Sequence, residues 1–438
     1  MKYVRAFNRY GRLFLISILI ILVTNGYCQE EPDFKERQDS ILEELRGVKP
    51  WYEFGNEKIT IIPLAILALD ATYFHQDDNS TTQVGDQDAR YEPGQIRALR
   101  FGVLGTINFE RPWRYLVAGA YRAFDQGFNA DSATDFMLYD LRLDIPTKIG
   151  AFAFGKMKEP SSMQRVASLI YLGGIERGMN LDGMLPARNT GAMYYNTVVD
   201  KRVHYALALY KSVSFPQKVY WKDASTVGIG RITVNPFVGW QEDHDLHLGI
   251  SGRYSNFKGG GNLRQHPESY FASKFVETGG VEGEGIFTWN YEFAYRFKSL
   301  LITSEVTRLQ LYNARLTDGN ESLQDPRLKG SFVQADWLIT GERRKYTSRN
   351  AVFAPAIPRR DVQQGGAGAL EFTLRYSTLL TNTGGLSGGD MSKVSAFLTW
   401  YPTLLSKMQI GYGLVTLDRF GITGKTGIFQ FRFAILIG

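Results

Sequence analysis

The chain has 438 residues, with 50 Lys and Arg against 44 Asp and Glu, a formal net charge of +6 and a mean hydropathy of −0.21. Four bases and no acids fall within residues 1–28, so the rest carries 50 − 4 = 46 bases against 44 acids, a net of +2. That balance gives no concentrated basic face and excludes a nucleic-acid partner, and the single cysteine excludes an internal disulfide.

Lys2, Arg5, Arg9 and Arg12 precede an apolar run over 13–23 that only Ser17 breaks, and Gly26, Tyr27 and Cys28 follow. This pattern predicts a signal peptide over 1–28, cleaved after Cys28. Tyr27 is bulky where a lipid-modified Cys28 would need a small neighbour. The run is shorter than the roughly 20 apolar residues of a spanning helix, and the best later run, 59–69, is no longer and contains Pro63. No transmembrane helix is expected after the leader. Residues 29–50 read as a short helical periplasmic segment, with Phe34, Gln38, Ile41, Leu45 and Val48 recurring every three or four residues until Pro50.

From Trp51 onward the period is two. Leu99, Phe101, Val103, Ile107 and Phe109 share one parity, and Arg100, Gly102, Thr106 and Asn108 the other. Tyr115, Val117 and Tyr121 likewise oppose Arg114, Ala118 and Arg122. The alternation returns over 137–145, 203–209, 246–254, 289–297, 333–339, 370–376, 394–400 and 408–414, and ends with Phe429, Phe431 and Phe433 separated by Gln430 and Arg432. Each run approaches the roughly ten residues of a tilted membrane strand. A soluble β-sandwich also alternates, but it seldom turns so many Tyr and Phe outward. The 45 glycines and 13% aromatics suit the same reading: an all-β fold, a transmembrane antiparallel β-barrel of about 16 strands over 51–438, its last strand pairing with its first. Turn-rich stretches at 75–94, 259–285, 317–329 and 381–389 are expected to be long outer loops.

An arginine facing lipid at the bilayer midplane costs about 2–4 kcal/mol, so the arginine-bearing parity must line the lumen. It holds Arg100, Arg114, Arg122, Arg142, Arg231, Arg253, Arg296, Arg375 and Arg432, with Asp140, Asp144, Glu292, Glu305, Asp336 and Glu371 among them. Guanidinium forks match phosphate and carboxylate oxygens and favour anions. Carboxylates between them could equally tie them up and leave a general diffusion pore. Residues 156–191 break the rhythm for more than 30 positions, and we expect them to fold inward and narrow the barrel; a cap over the mouth is the alternative. The expected anion path therefore joins Lys156, Lys158, Arg165, Arg177 and Arg188 to Arg100, Arg122, Arg142, Arg231, Arg253 and Arg375.

His244 and His247, beside Glu242, Asp243 and Asp245, read as a solvated link between strands and not as a metal site. His204 falls on the inward parity, where a barrel hydrolase would also need a serine and an orienting acid. No phosphate-cradling glycine loop, catalytic cysteine or cofactor fingerprint is visible, so neither an enzyme, a metal nor a cofactor is expected.

Several short stretches carry a family resemblance: Gly155-Lys156-Met157-Lys158-Glu159-Pro160, Glu176-Arg177, and Leu185-Pro186-Ala187-Arg188-Asn189-Thr190-Gly191. Leu338-Ile339-Thr340-Gly341-Glu342-Arg343 with Tyr346, Glu371 with Arg375-Tyr376-Ser377, and Trp400-Tyr401-Pro402 continue it in order. Together they resemble the phosphate-selective porins O and P. The resemblance implies a 16-stranded homotrimeric barrel among the lipids of a Gram-negative outer membrane, passing small inorganic anions such as phosphate or polyphosphate without an energy source. The family's arginine ladder does not map residue by residue, and the chain ends in Gly438 where such barrels usually end in an aromatic.

Overall fold

The computed structural model describes residues 54–87, 96–121, 136–212, 224–238, 243–257, 260–318 and 322–437. The expected leader over 1–28 and the helix over 29–50 lie outside these residues, as does Arg122. Among the described residues no helix is long and apolar enough to cross a membrane, which is no bar to crossing by strands.

Sixteen antiparallel strands close one sheet, and a short seventeenth, Phe54–Asn56, pairs with the start of the first of them. The sixteen are β1 (Ile59–Gln76), β2 (Ile96–Ile107), β3 (Trp113–Tyr121), β4 (Met137–Thr147), β5 (Gly150–Lys158), β6 (Arg188–Val198), β7 (Val203–Ser212) and β8 (Ser225–Val234). Then follow β9 (His244–Asn256), β10 (Gly285–Phe297), β11 (Leu300–Tyr312), β12 (Arg327–Leu338), β13 (Ala369–Thr383), β14 (Leu386–Thr403), β15 (Ser406–Arg419) and β16 (Ile422–Ile437). Each pairs with its neighbour in sequence, and β16 returns to β1, setting Tyr73 opposite Phe429 and Asp70 opposite Arg432. Closure leaves no sheet edge, the only way a sheet can satisfy its backbone inside lipid.

The two parities separate as the alternation predicts. Phe429 and Phe431 are exposed on the outer wall, while Gln430, Arg432 and Ala434 on the opposite parity are buried inside. At the end where β1 begins and β16 ends, most connections are short, as at 148–149, 298–299 and 404–405; this is the periplasmic end. One connection there is long, 339–368. At the opposite, outer end the links are mostly long, but the one expected over 381–389 is not. Strand β13 runs to Thr383 and β14 restarts at Leu386, because Gly384 (φ 60°) and Gly385 (φ 94°) supply the positive dihedrals of a two-residue hairpin.

The core of the molecule is the filled barrel interior. From the outer end, 159–187 enters as a short turn α1 (Met163–Val166), a 3₁₀ turn (Leu169–Tyr171) and α2 (Met179–Met184). Ser162 caps α1 by accepting from the Arg165 amide. Leu169 and Ile170 pack on Ile66, Ala68, Ala98, Ala434 and Leu436, and Leu181 and Leu185 pack on Phe332. Burying each such side chain contributes about 1.5–3 kcal/mol. From the periplasmic end, part of 339–368 enters to meet it. Val352 and Phe353 join Met163 and Ala167 in one cluster, and Arg344 Nη1 donates to Tyr171 O at 2.6 Å. The outer link between β9 and β10 also turns in, placing Leu263, Phe275 and Val276 against Leu309, Leu328 and Leu379.

Candidate permeation path

Strand ends and the root of the infolded segment bring four of the expected cations together at the outer end. Asp140, early in β4, accepts from Arg188 Nε at 2.8 Å and from Arg100 Nη2 at 2.6 Å. Both guanidinium groups lie over the ring of Tyr139, that of Arg188 at 3.6 Å from its centroid. Lys158, the last residue of β5 and opposite Arg188 in register, donates to Val166 O and Ala167 O, both at 2.7 Å. Arg177 Nη2 reaches that same Ala167 carbonyl at 3.1 Å. Arg100, Arg188 and Lys158 thus gather about Asp140, and Arg177 joins Lys158 at the Ala167 carbonyl.

The other expected cations lie elsewhere. Arg142 pairs with Asp144 two residues on, at 2.6 Å. Arg165 is buried within the infolded segment against Asp182 at 2.9 Å, and Arg253 on β9 pairs with Glu159 at 2.8 Å. Arg231 pairs with Glu292 at 2.7 Å and donates to Ala351 O. Arg375 faces Glu268 at 3.4 Å and donates to Glu176 O at 2.7 Å. Arg231, Arg253 and Arg375 hold inserted chain segments to the wall. Lys156 departs from the expected path: it shares its parity with the exposed Phe152 and Phe154, and its Nζ donates to Leu138 O. The register of β5 sets it on the outer wall.

Sequence reasoning missed Glu176 as a bridge. Its carboxylate accepts from Arg97 Nε at 2.7 Å and from Arg432 Nη2 at 2.7 Å, while Arg432 also grips Asp70. Burial pushes the Glu176 carboxyl up, but the charges of Arg97 and Arg432 outweigh it and hold the group at about 2. Asp182 goes the other way: burial raises it despite Arg165. Also missed were Arg344, which grips Glu371 by two hydrogen bonds, and the buried Lys393 and Lys407, held by main-chain carbonyls. The inward parity of Lys393 and Lys407 was the available signal. For Arg344 it was the length of 339–368 at an end of short turns.

The histidine expectation needs correcting. His244 opens β9, and His247 is fully buried on the inner wall between Glu292 at 3.0 Å and Tyr346 at 2.8 Å, not in a solvated link. The strand starts there, so the period-two rule carries His247 inward. Among the described residues no three His, Cys, Asp or Glu side chains gather as metal ligands. His204 contacts Thr197 Oγ1 at 3.2 Å.

Comparison with known proteins places the architecture. The anion-selective porin of Comamonas acidovorans superposes with a TM-score of 0.52 at 10% identity, covering 86% of this chain and 100% of that one. The outer-membrane channel DcaP of Acinetobacter baumannii gives 0.51 at 12% identity, covering 87% and 99%. At these identities the likeness is one of fold. A curated relative, an uncharacterised protein of Caulobacter vibrioides, is 26% identical over 193 residues, which is 42% of this chain and 36% of that relative's length. Residues 68–421 match the phosphate-selective porin O and P family, from the seam strand β1 to the turn before β16. With a closed barrel, an infolded outer segment and a match over most of its length, the chain belongs to the phosphate-selective porin O and P family of outer-membrane porins.

Proposed function

We propose that this porin favours small inorganic anions, drawn in by the cluster of Arg100, Lys158, Arg177 and Arg188 at the outer end. The observation that carries the reading is the gathering of Arg100, Arg188 and Lys158 about the carboxylate of Asp140. Arg100 keeps 12% of its side chain open to solvent, so an arriving anion meets a fixed positive charge there. Deeper in the lumen the arginines are matched by acids, so attraction ends where release must begin. Flux follows the gradient, and phosphate is one anion whose oxygens fit such a fork. Assembly as a homotrimer belongs to the same proposal.

One observation favours a weakly selective pore instead: Arg142, Arg231, Arg253 and Arg375 each face a carboxylate. Reversal potentials in a planar bilayer under a potassium chloride gradient separate the two readings. The anion reading expects a potential of anion-selective sign that falls toward zero in the Arg100→Gln, Lys158→Gln double variant. A potential near zero in the unaltered protein supports the weakly selective pore.

A further inference from the structure

The outer wall carries one feature that diffusion through the lumen does not use. On the outward parity of β11 and β12, Arg308 stands directly opposite Lys329, and Gln310 opposite Arg327. On the neighbouring strand β10, Trp289 lies opposite Arg308 and Phe287 opposite Gln310. These six side chains line a shallow groove on the outside of the barrel. Directly opposed residues on adjacent strands have their Cβ atoms about 4.5–5.5 Å apart, and like charges placed so repel. Arg308, Arg327 and Lys329 are all exposed, and none forms an ion pair or hydrogen bond with a described residue. The nearest outward neighbours toward the midplane are Val306, Ser331 and Val333. The groove therefore sits where apolar wall gives way to headgroups, from the outer end of β12 at Arg327 to four residues below the outer ends of β10 and β11, among the aromatics Trp289, Tyr312 and Tyr254.

We infer that this groove binds the phosphorylated headgroup of a glycolipid in the outer leaflet, with Arg308, Arg327 and Lys329 holding the phosphate and Phe287 and Trp289 lying along its chains. Three cations within one cross-strand patch, with no acid among them, need an anion to offset their repulsion. An anion delivered at headgroup depth with an apolar tail matches both halves of the groove. The guanidinium groups of Arg308 and Arg327 supply forked donors and Lys329 a point charge.

The test uses the full-length protein in nanodiscs and a bisphosphorylated lipid A, with native mass spectrometry and a binding titration as readouts. The unaltered protein is expected to retain the phosphorylated glycolipid and to bind its dephosphorylated form at least tenfold more weakly. The R308Q/R327Q/K329Q variant is expected to bind the phosphorylated form at least tenfold more weakly, with single-channel conductance unchanged because these residues face away from the lumen. The charge-preserving R308K/R327K/K329R variant should keep most of the binding and shows that charge, not wall stability, is read. Equal binding by the unaltered protein and the glutamine variant overturns the inference. So does a glutamine variant whose oligomer mass changes while lipid binding does not, which would assign the patch to contact with a second copy of the chain.

Discussion

The segment 159–187 reaches into the lumen from the outer end and brings acids to arginines of the wall: Glu159 to Arg253, and Glu176 to Arg97 and Arg432. The segment 339–368 reaches in from the periplasmic end with the opposite chemistry. It brings Arg344 to the wall acid Glu371, and bare carbonyls of Asn350 and Ala351 to Arg231. One insert removes positive charge from the lumen wall and the other adds to it. The charge an ion meets inside is thus set by which inserts are docked, as much as by the strands.

The largest way to break this comparison is Glu176→Ala. It leaves Arg97 and Arg432 buried without their shared acid, and breaking a buried pair costs about 3–5 kcal/mol. The unfolding midpoint in urea should fall accordingly, and the reversal potential should move further toward anions. Arg344→Ala should have the next largest effect, about 2–3 kcal/mol, because Glu371 keeps the Tyr401 hydroxyl as a donor. Its reversal potential should move toward cations. If both variants shift selectivity the same way, the two inserts do not act in opposite senses.

Acid sharpens the contrast further. The Glu176 carboxyl is held at about 2 in the folded protein against an ordinary value of 4.5. A group depressed on folding contributes stability that is fully present above its unfolded value and lost as pH falls through its folded one. Docking of 159–187 should therefore hold at pH 5 and weaken between about 4.5 and 2, read as a falling unfolding midpoint and rising channel noise over that window. The smallest effect is expected of Arg315→Ala. Its partner Glu282 and the arginine itself are about half exposed, at 44% and 55%. Such pairs contribute at most about 1 kcal/mol, and neither conductance nor selectivity should change.

The barrel was legible because a strand sorts residues by parity alone, so the aromatic and arginine sets declared the two walls wherever one faced lipid and the other water. Legibility failed where an insert covers the inner wall. In β1 the inward Ile62, Ile66 and Ala68 are as apolar as the outward side, because Leu169 and Ile170 rest on part of that wall, and period two fades. The role of Glu176 was hidden for a related reason: its partners lie 79 and 256 residues away in sequence, and parity says nothing about which loop reaches which strand. Lys156 and Lys158 share one parity, yet Lys156 stays on the outer wall while Lys158 reaches the infolded segment. That distinction comes from the strand ending at Lys158, not from residue type.

The Glu176 bridge also constrains how the molecule comes into being. Arg432 belongs to the last strand and Asp70 to the first, 362 residues apart, and Glu176 joins the same guanidinium. Until β16 arrives, the infolded segment lacks Arg432, one of the two arginines that grip Glu176, and the wall formed by Ala434 and Leu436. Loop closure over such a span carries an entropic cost that local contacts cannot offset early. Sealing of the seam and docking of the insert therefore form one late, cooperative step. A chain truncated before β16 should leave the segment undocked as well as the barrel open.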